Sequence, residues 1–152
     1  FRLKIKDFPI ERLLVEPKLE IVKEYYLGIT IDRANYCFVV IGSSEGGVDI
    51  EVTAEEKPDA IIKVALDVDE PMYGFDALKL AKLMGFGQKQ LRAAQGIIRS
   101  LVKMFRAYDA KLAEINPLVE LSDGSLIAAG SPDEIIDNPH VREVYLGQEF
   151  RL

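Results

Sequence analysis

The order of elements along this chain predicts an α+β fold, a mainly antiparallel sheet with helices packed on one face. Three observations carry it. Lys23 to Arg33 and Cys37 to Ile41 are joined by a turn too short for anything but antiparallel pairing, and Leu112 to Leu121 turns back the same way into Ser125 to Ala129. Two helical periodicities, at about 71–84 and 89–108, fall between these hairpins. Hairpin-paired strands with helices gathered in the middle define a two-layer sandwich.

Each element has its own signal. Ile10 to Glu16 is an apolar run that Pro17 stops, because proline has no amide donor for a ladder. In Lys23 to Arg33, Tyr25, Leu27, Ile29 and Ile31 alternate with Glu24, Tyr26, Thr30 and Asp32, which predicts a half-buried strand. Ala34-Asn35-Tyr36 is the turn into Cys37 to Ile41. Ser43 to Gly47 is a turn whose glycine pair opens unusual backbone conformations. Ile61 to Leu66 is a short apolar strand. Pro71 and Met72 open a helix through Met84, with Phe75, Leu78, Leu80, Ala81 and Leu83 as its apolar residues and Gly85 and Gly87 at its end. From Lys89 to Tyr108, the residues Leu91, Ala94, Ile98, Leu101, Phe105 and Tyr108 form one stripe, and Arg92, Arg99, Lys103 and Arg106 form the wet side. After Gly130 the character changes. Ser131-Pro132-Asp133-Glu134 is a helix start, Asn138-Pro139 breaks that helix, and a second short one ends at Gly147. The expected division is a domain over 1–129 and a short helical tail over 130–152.

The chain has 152 residues, 49% of them apolar and 29% charged, which suits one packed domain and excludes a disordered tail. Nineteen Lys and Arg against twenty-five Asp and Glu leave a net charge of −6, so general nucleic-acid binding is not expected. No apolar run approaches the roughly 20 residues of a membrane span, and the first ten residues lack the apolar centre of a signal peptide. One cysteine, Cys37, and one histidine, His140, build neither an internal disulfide nor a zinc site. Cys37 reads as a core strand residue and His140 as a solvated one. These features place the chain in a reducing cytoplasm. A start at Phe rather than Met reads as a fragment or a processed chain.

No nucleophile elbow and no Gly-x-x-x-x-Gly-Lys-[Ser/Thr] phosphate loop is present. Metal-ligand spacing says more. Glu114 and Asn116 stand two apart on a strand, so both point to one face and Ile115 points to the other. A carboxylate and an amide oxygen on one face suit a hard cation such as Mg²⁺, which usually bridges to substrate phosphates. On residues alone the signal is weak, and the pair reads first as two polar strand positions beside a proline turn. Met84, Phe86, Met104 and Phe105 read as core.

The segments Leu14 to Glu16, Lys23 to Gly28, Asp32-Arg33, Ser44 to Glu51, Lys63 to Asp67 and Glu114 to Val119 recur in order and spacing in one family. Through them, Leu13 to Ala129 resembles the ATP-grasp part of the nucleotide-binding β chain of succinyl-CoA synthetase. The resemblance implies one ATP-grasp subdomain of an ADP- or GDP-forming acyl-CoA ligase. In the intact enzyme the reaction is acid + CoA + NTP → acyl-CoA + NDP + phosphate. Mg²⁺ and ATP/ADP or GTP/GDP are the implied ligands, with a CoA-binding α chain as partner and no nucleic acid or membrane. Glu16 corresponds to the hinge residue beside adenine and ribose, Leu19 to a backbone contact there, and Glu24 to a glutamate near the phosphates. Asn116 corresponds to a Mg²⁺ ligand, Glu114 lines the same face, and Ser43 to Gly47 resembles the family's Gly-Gly loop.

There are departures. The family's second Mg²⁺ ligand is an aspartate sixteen residues after the glutamate, and here that position is Gly130. The lobe with the ATP lysine and the CoA-ligase domain have no counterpart in these 152 residues. Gly130 to Leu152 instead resembles the C-terminal end of ABC-transporter ATPases of the lipopolysaccharide-export and branched-chain amino-acid type. The join reads as a chimera, a tagged fragment or a rearranged gene. These gaps keep a second expectation open, a non-catalytic folding or protein-interaction module.

Overall fold

A computed structural model describes residues 4–5, 8–9 and 18–128. The strand expected at Ile10 to Glu16, the site residue Glu16, position Gly130 and the helical tail lie outside the described residues. Strands β1 (Lys4–Ile5) and β2 (Phe8–Pro9) pair antiparallel as a two-residue ribbon.

The main sheet is built around one long strand. β3 (Ile21–Asp32) pairs with β4 (Cys37–Ser43) on one side and with β6 (Leu112–Leu121) on the other. β5 (Ile61–Leu66) lies outside β4 and β7 (Leu126–Ala128) outside β6. The order is β5-β4-β3-β6-β7 and every ladder is antiparallel, as the two hairpins predict. The β3–β4 turn is tied by Asp32, whose carboxylate accepts from the backbone N–H of Ala34 (3.0 Å) and Asn35 (3.1 Å) and from the Asn35 amide (2.8 Å).

Helices α2 (Gly74–Leu83) and α3 (Leu91–Ala107) cover one face of this sheet. Val40, Leu27, Ile29, Tyr25 and Leu118 come from the strands, Ala77, Leu80, Ala81, Ile98, Leu101 and Phe105 from the helices, and together they form one buried cluster. Leu91, Ala94, Ile98, Leu101 and Phe105 recur at helical spacing, so α3 presents one apolar stripe to the sheet. At roughly 2 kcal/mol per large side chain buried, that stripe supplies much of the driving force for the layer.

Four readings change. Phe75 and Leu83 of α2, Met104 of α3 and Tyr108 just after it are exposed rather than core, because each helix turns only one stripe to the sheet. Arg106 is not on the wet side. Its guanidinium donates to the carbonyls of Asp67 (2.7 Å), Val68 (2.5 Å) and Glu70, and it lies over the Phe38 ring. A short helix, α1 (Ile50–Glu56), follows the glycine pair, in a stretch for which the sequence predicts no element. Asp49 caps it by accepting from Glu51 N–H. Finally, β3 is not half-buried in its middle: Tyr25 through Ile29 are all buried, Tyr26 and Gly28 included.

Candidate functional site

The face of the sheet away from α2 and α3 carries the site. Simple alternation puts Glu24, Tyr26 and Gly28 there, opposite Tyr25, Leu27 and Ile29. On β6, Glu114 and Asn116 share that face while Ala113 and Ile115 pack toward the helices. The register explains how. Leu27 pairs with Ile115 and Tyr25 with Leu118, so Tyr26 alone stands opposite both Asn116 and Pro117. This β-bulge shifts the phase of β6, so Leu118 and Glu120 beyond it turn to the helix side.

The loop from Ser43 to Asp49 folds over the open face and is held by three backbone contacts. Gly46 N–H donates to the Glu24 carbonyl (3.2 Å). Gly47 N–H donates to Asn116 Oδ1 (3.0 Å), and Asn116 Nδ2 donates to the Val48 carbonyl (3.1 Å). One amide side chain thus clamps two consecutive residues of the loop. The glycines are required by close approach. A Cβ at Gly46 would fall 2.4 Å from the Tyr25 carbonyl carbon, and one at Gly47, where φ is +68°, would fall 2.2 Å from Glu24 Oε2.

Beside this clamp, Tyr26 O–H donates to Glu114 Oε2 at 3.0 Å. Burial first, then the negative charges of Glu114 and Glu51, raise the Tyr26 hydroxyl well above the usual tyrosine range. Glu51 is itself raised, chiefly by a hydrogen bond shared with Asp49, which is lowered by the same bond. The result is a cleft of about 490 Å³ lined by Gly47, Asp49, Glu51, Glu114, Asn116 and Pro117, among others.

The structure therefore brings Glu24, Glu114 and Asn116 together around Gly47. It does not bring Leu19 to them: that residue stands exposed, before the start of β3, at the opposite end from the Gly28–Glu114 pair. Asp49, Glu51 and Tyr26 are the site residues that sequence reasoning did not single out. For a cation, the donor set is all hard oxygen, which fits Mg²⁺. Asn116 Oδ1 already accepts one N–H, and an amide oxygen has a second lone pair to offer. Among the described residues no three Asp, Glu, His or Cys side chains are grouped to hold a metal by themselves. The set suits a cation shared with phosphate oxygens.

The fold is thus an antiparallel α+β layer with one helix-covered face and one open, polar, glycine-clamped face. The ATP-grasp domain family matches residues 4–120, from β1 to Glu120 in β6, and the chain belongs to that family. A second family, the branched-chain amino acid ATP-binding cassette transporter, matches residues 125–151. Among relatives, the succinate–CoA ligase [ADP-forming] subunit beta of Chlamydia trachomatis is 42% identical over 140 residues, 92% of this chain and 36% of that protein. The subunit of the same name from Ignicoccus hospitalis is 42% identical over 128 residues, 84% of this chain and 34% of that protein. The chain spans about a third of the length of these relatives. Among solved structures, ATP citrate lyase from Methanothrix soehngenii, determined with citrate and coenzyme A, superposes with a TM-score of 0.58 at 18% identity, over 100% of this chain and 34% of that one, a likeness of fold. Among the described residues no helix is long and apolar enough to cross a membrane.

Proposed function

We propose that residues 1–129 are the nucleotide-facing subdomain of an acyl-CoA ligase of succinate–CoA ligase type, with residues 130–152 a tail of different resemblance. The supporting observation is the convergence of Glu24, Gly47, Glu114 and Asn116 on the open face, within the stretch that is 42% identical to those β subunits. A free-standing interaction module is the weaker reading, since the likeness runs through the cleft residues themselves. The whole protein's reaction on this reading is acid + CoA + NTP → acyl-CoA + NDP + phosphate, through a phosphohistidine on a CoA-binding α chain, in a cytoplasmic setting. Asn116 and Glu114 would hold Mg²⁺, which when bound offsets charge on the transferring phosphoryl group. On this reading Gly47 and Glu24 border the phosphates, and the resemblance assigns Glu16 and Leu19 to the adenine and ribose.

The test is a titration of the isotope-labelled chain with Mg·ADP and Mg·GDP, followed by NMR. Saturable shifts are expected at the Gly46 and Gly47 amides and at the Asn116 side-chain amide, with a Kd on the order of 1 mM, about 4 kcal/mol. Shifts confined to the α2–α3 face, or none that saturate, would sink the reading. Gly130→Asp should tighten binding if the missing carboxylate limits it, and equal affinities would exclude that cause.

A further inference from the structure

Tyr26 has no place in the family reading above, yet its geometry is specific. The side chain is 3% exposed, lies outside the helix-side core cluster and reaches the exposed Glu114. Gly28 makes this possible. It is the register partner of Glu114, and a Cβ on it would fall 2.5 Å from the Tyr26 hydroxyl and 3.0 Å from two ring atoms. The tyrosine ring therefore lies along its own strand, across the vacant side-chain position of Gly28, and delivers its O–H to the carboxylate on the neighbouring strand.

A glutamate at the edge of a cleft has three rotatable bonds, and fixing it costs rotamer freedom. A buried tyrosine has little freedom left to lose. Its hydroxyl donates to Glu114 Oε2 at 3.0 Å, and a phenol of ordinary acidity keeps its proton throughout the physiological range. We propose that Tyr26 is a positioning residue, which with Gly28 as its slot pre-sets the Glu114 carboxylate for the cation and phosphates of the cleft. The proposal rests on the nucleotide reading for its purpose, although the positioning itself needs no ligand.

Two measurements separate these levels. Without ligand, the Glu114 carboxyl ¹³C resonance at fixed neutral pH is compared in wild type, Tyr26→Phe and Gly28→Ala. Tyr26→Phe keeps the ring and removes the donor. Gly28→Ala keeps the donor and fills its slot. Both should move the resonance toward those of the solvated Glu55 and Glu56, and an unmoved resonance in both overturns the proposal. With Mg·ADP, Tyr26→Phe should raise the titration midpoint about three- to tenfold. The double variant Tyr26→Phe/Glu114→Gln should be no weaker than Glu114→Gln alone, because the tyrosine acts through the glutamate. Additive losses overturn that mechanism. If wild type shows no saturable response to Mg·ADP, the nucleotide reading fails, and the carboxyl resonance alone decides whether Tyr26 positions Glu114.

Discussion

Tyr25 and Tyr26 are adjacent in sequence, both nearly inaccessible, and each donates its hydroxyl to a glutamate on β6. Tyr25 stacks on Phe86 with ring centroids 4.0 Å apart and donates to Glu120 at 2.9 Å, and Glu120 also accepts from the Gln90 amide at 2.9 Å. That pair is closed off by a helix-side residue. Tyr26 donates to Glu114, whose surroundings are a loop and a cleft. The same chemical pair is structural where a third partner completes it and available where neither α2 nor α3 reaches. One strand thus separates a face that holds the domain together from a face poised to meet something else.

The largest expected effect sharpens this division. Phe105, 1% exposed and edge-on to Phe38, anchors the helix layer, so Phe105→Ala should cost about 4 kcal/mol in denaturant unfolding. Its folded fraction should keep the Gly47 and Asn116 amide resonances in place. Gly46→Ala is expected to cost about 2 kcal/mol, because the new Cβ runs into the Tyr25 backbone, and it should displace those same resonances. If the two variants perturbed the cleft alike, the two faces would not be separable.

A matched pair comes next. Glu120→Ala strips a partner from both Tyr25 and Gln90 and should cost about 2 kcal/mol, whereas Glu114→Ala, at an exposed position, should cost under about 1 kcal/mol. Equal costs measured by urea unfolding would break the comparison. The smallest effect lies at the β3–β4 turn, beyond both faces. Hydrogen bonds from the Asn35 side chain and backbone lower the Asp32 carboxyl below its ordinary 3.8. A depressed acid contributes stability that is present above its unfolded value and lost as pH falls through its folded one. The urea midpoint of wild type should therefore fall more between pH 5 and pH 2 than that of Asp32→Ala, and parallel curves would remove Asp32 from the account.

Much of this was legible in advance because it is periodic and local. β6 spans Leu112–Leu121 as read, and both hairpins and the α3 stripe follow from spacing alone. The shared face of Glu24, Glu114 and Asn116 follows from alternation. What escaped reading depends on distant partners. Period-two alternation assigned Tyr26 to solvent, since its partner is 88 residues away. Arg106 likewise finds its carbonyls 36 to 39 residues back. The bulge had a local sign, a proline within a strand, and α1 had one in Asp49 ahead of a polar run. The clamp of Asn116 on Gly47 had none, since it needs the loop and β6 to meet.

Arg106 has a consequence for how the chain survives handling. The connection between β5 and α2 has no helix or strand from Asp67 to Tyr73, and three of its carbonyls converge on this one guanidinium. A lysine has a single ammonium and cannot span them as a planar fork does. Exposed connections of this kind are where proteases cut first, once the backbone can leave its shape. Arg106 is in this sense a latch against nicking, and its loss by substitution would open the Asp67–Glu70 segment to a protease that cuts beside acidic residues while the sheet still stood.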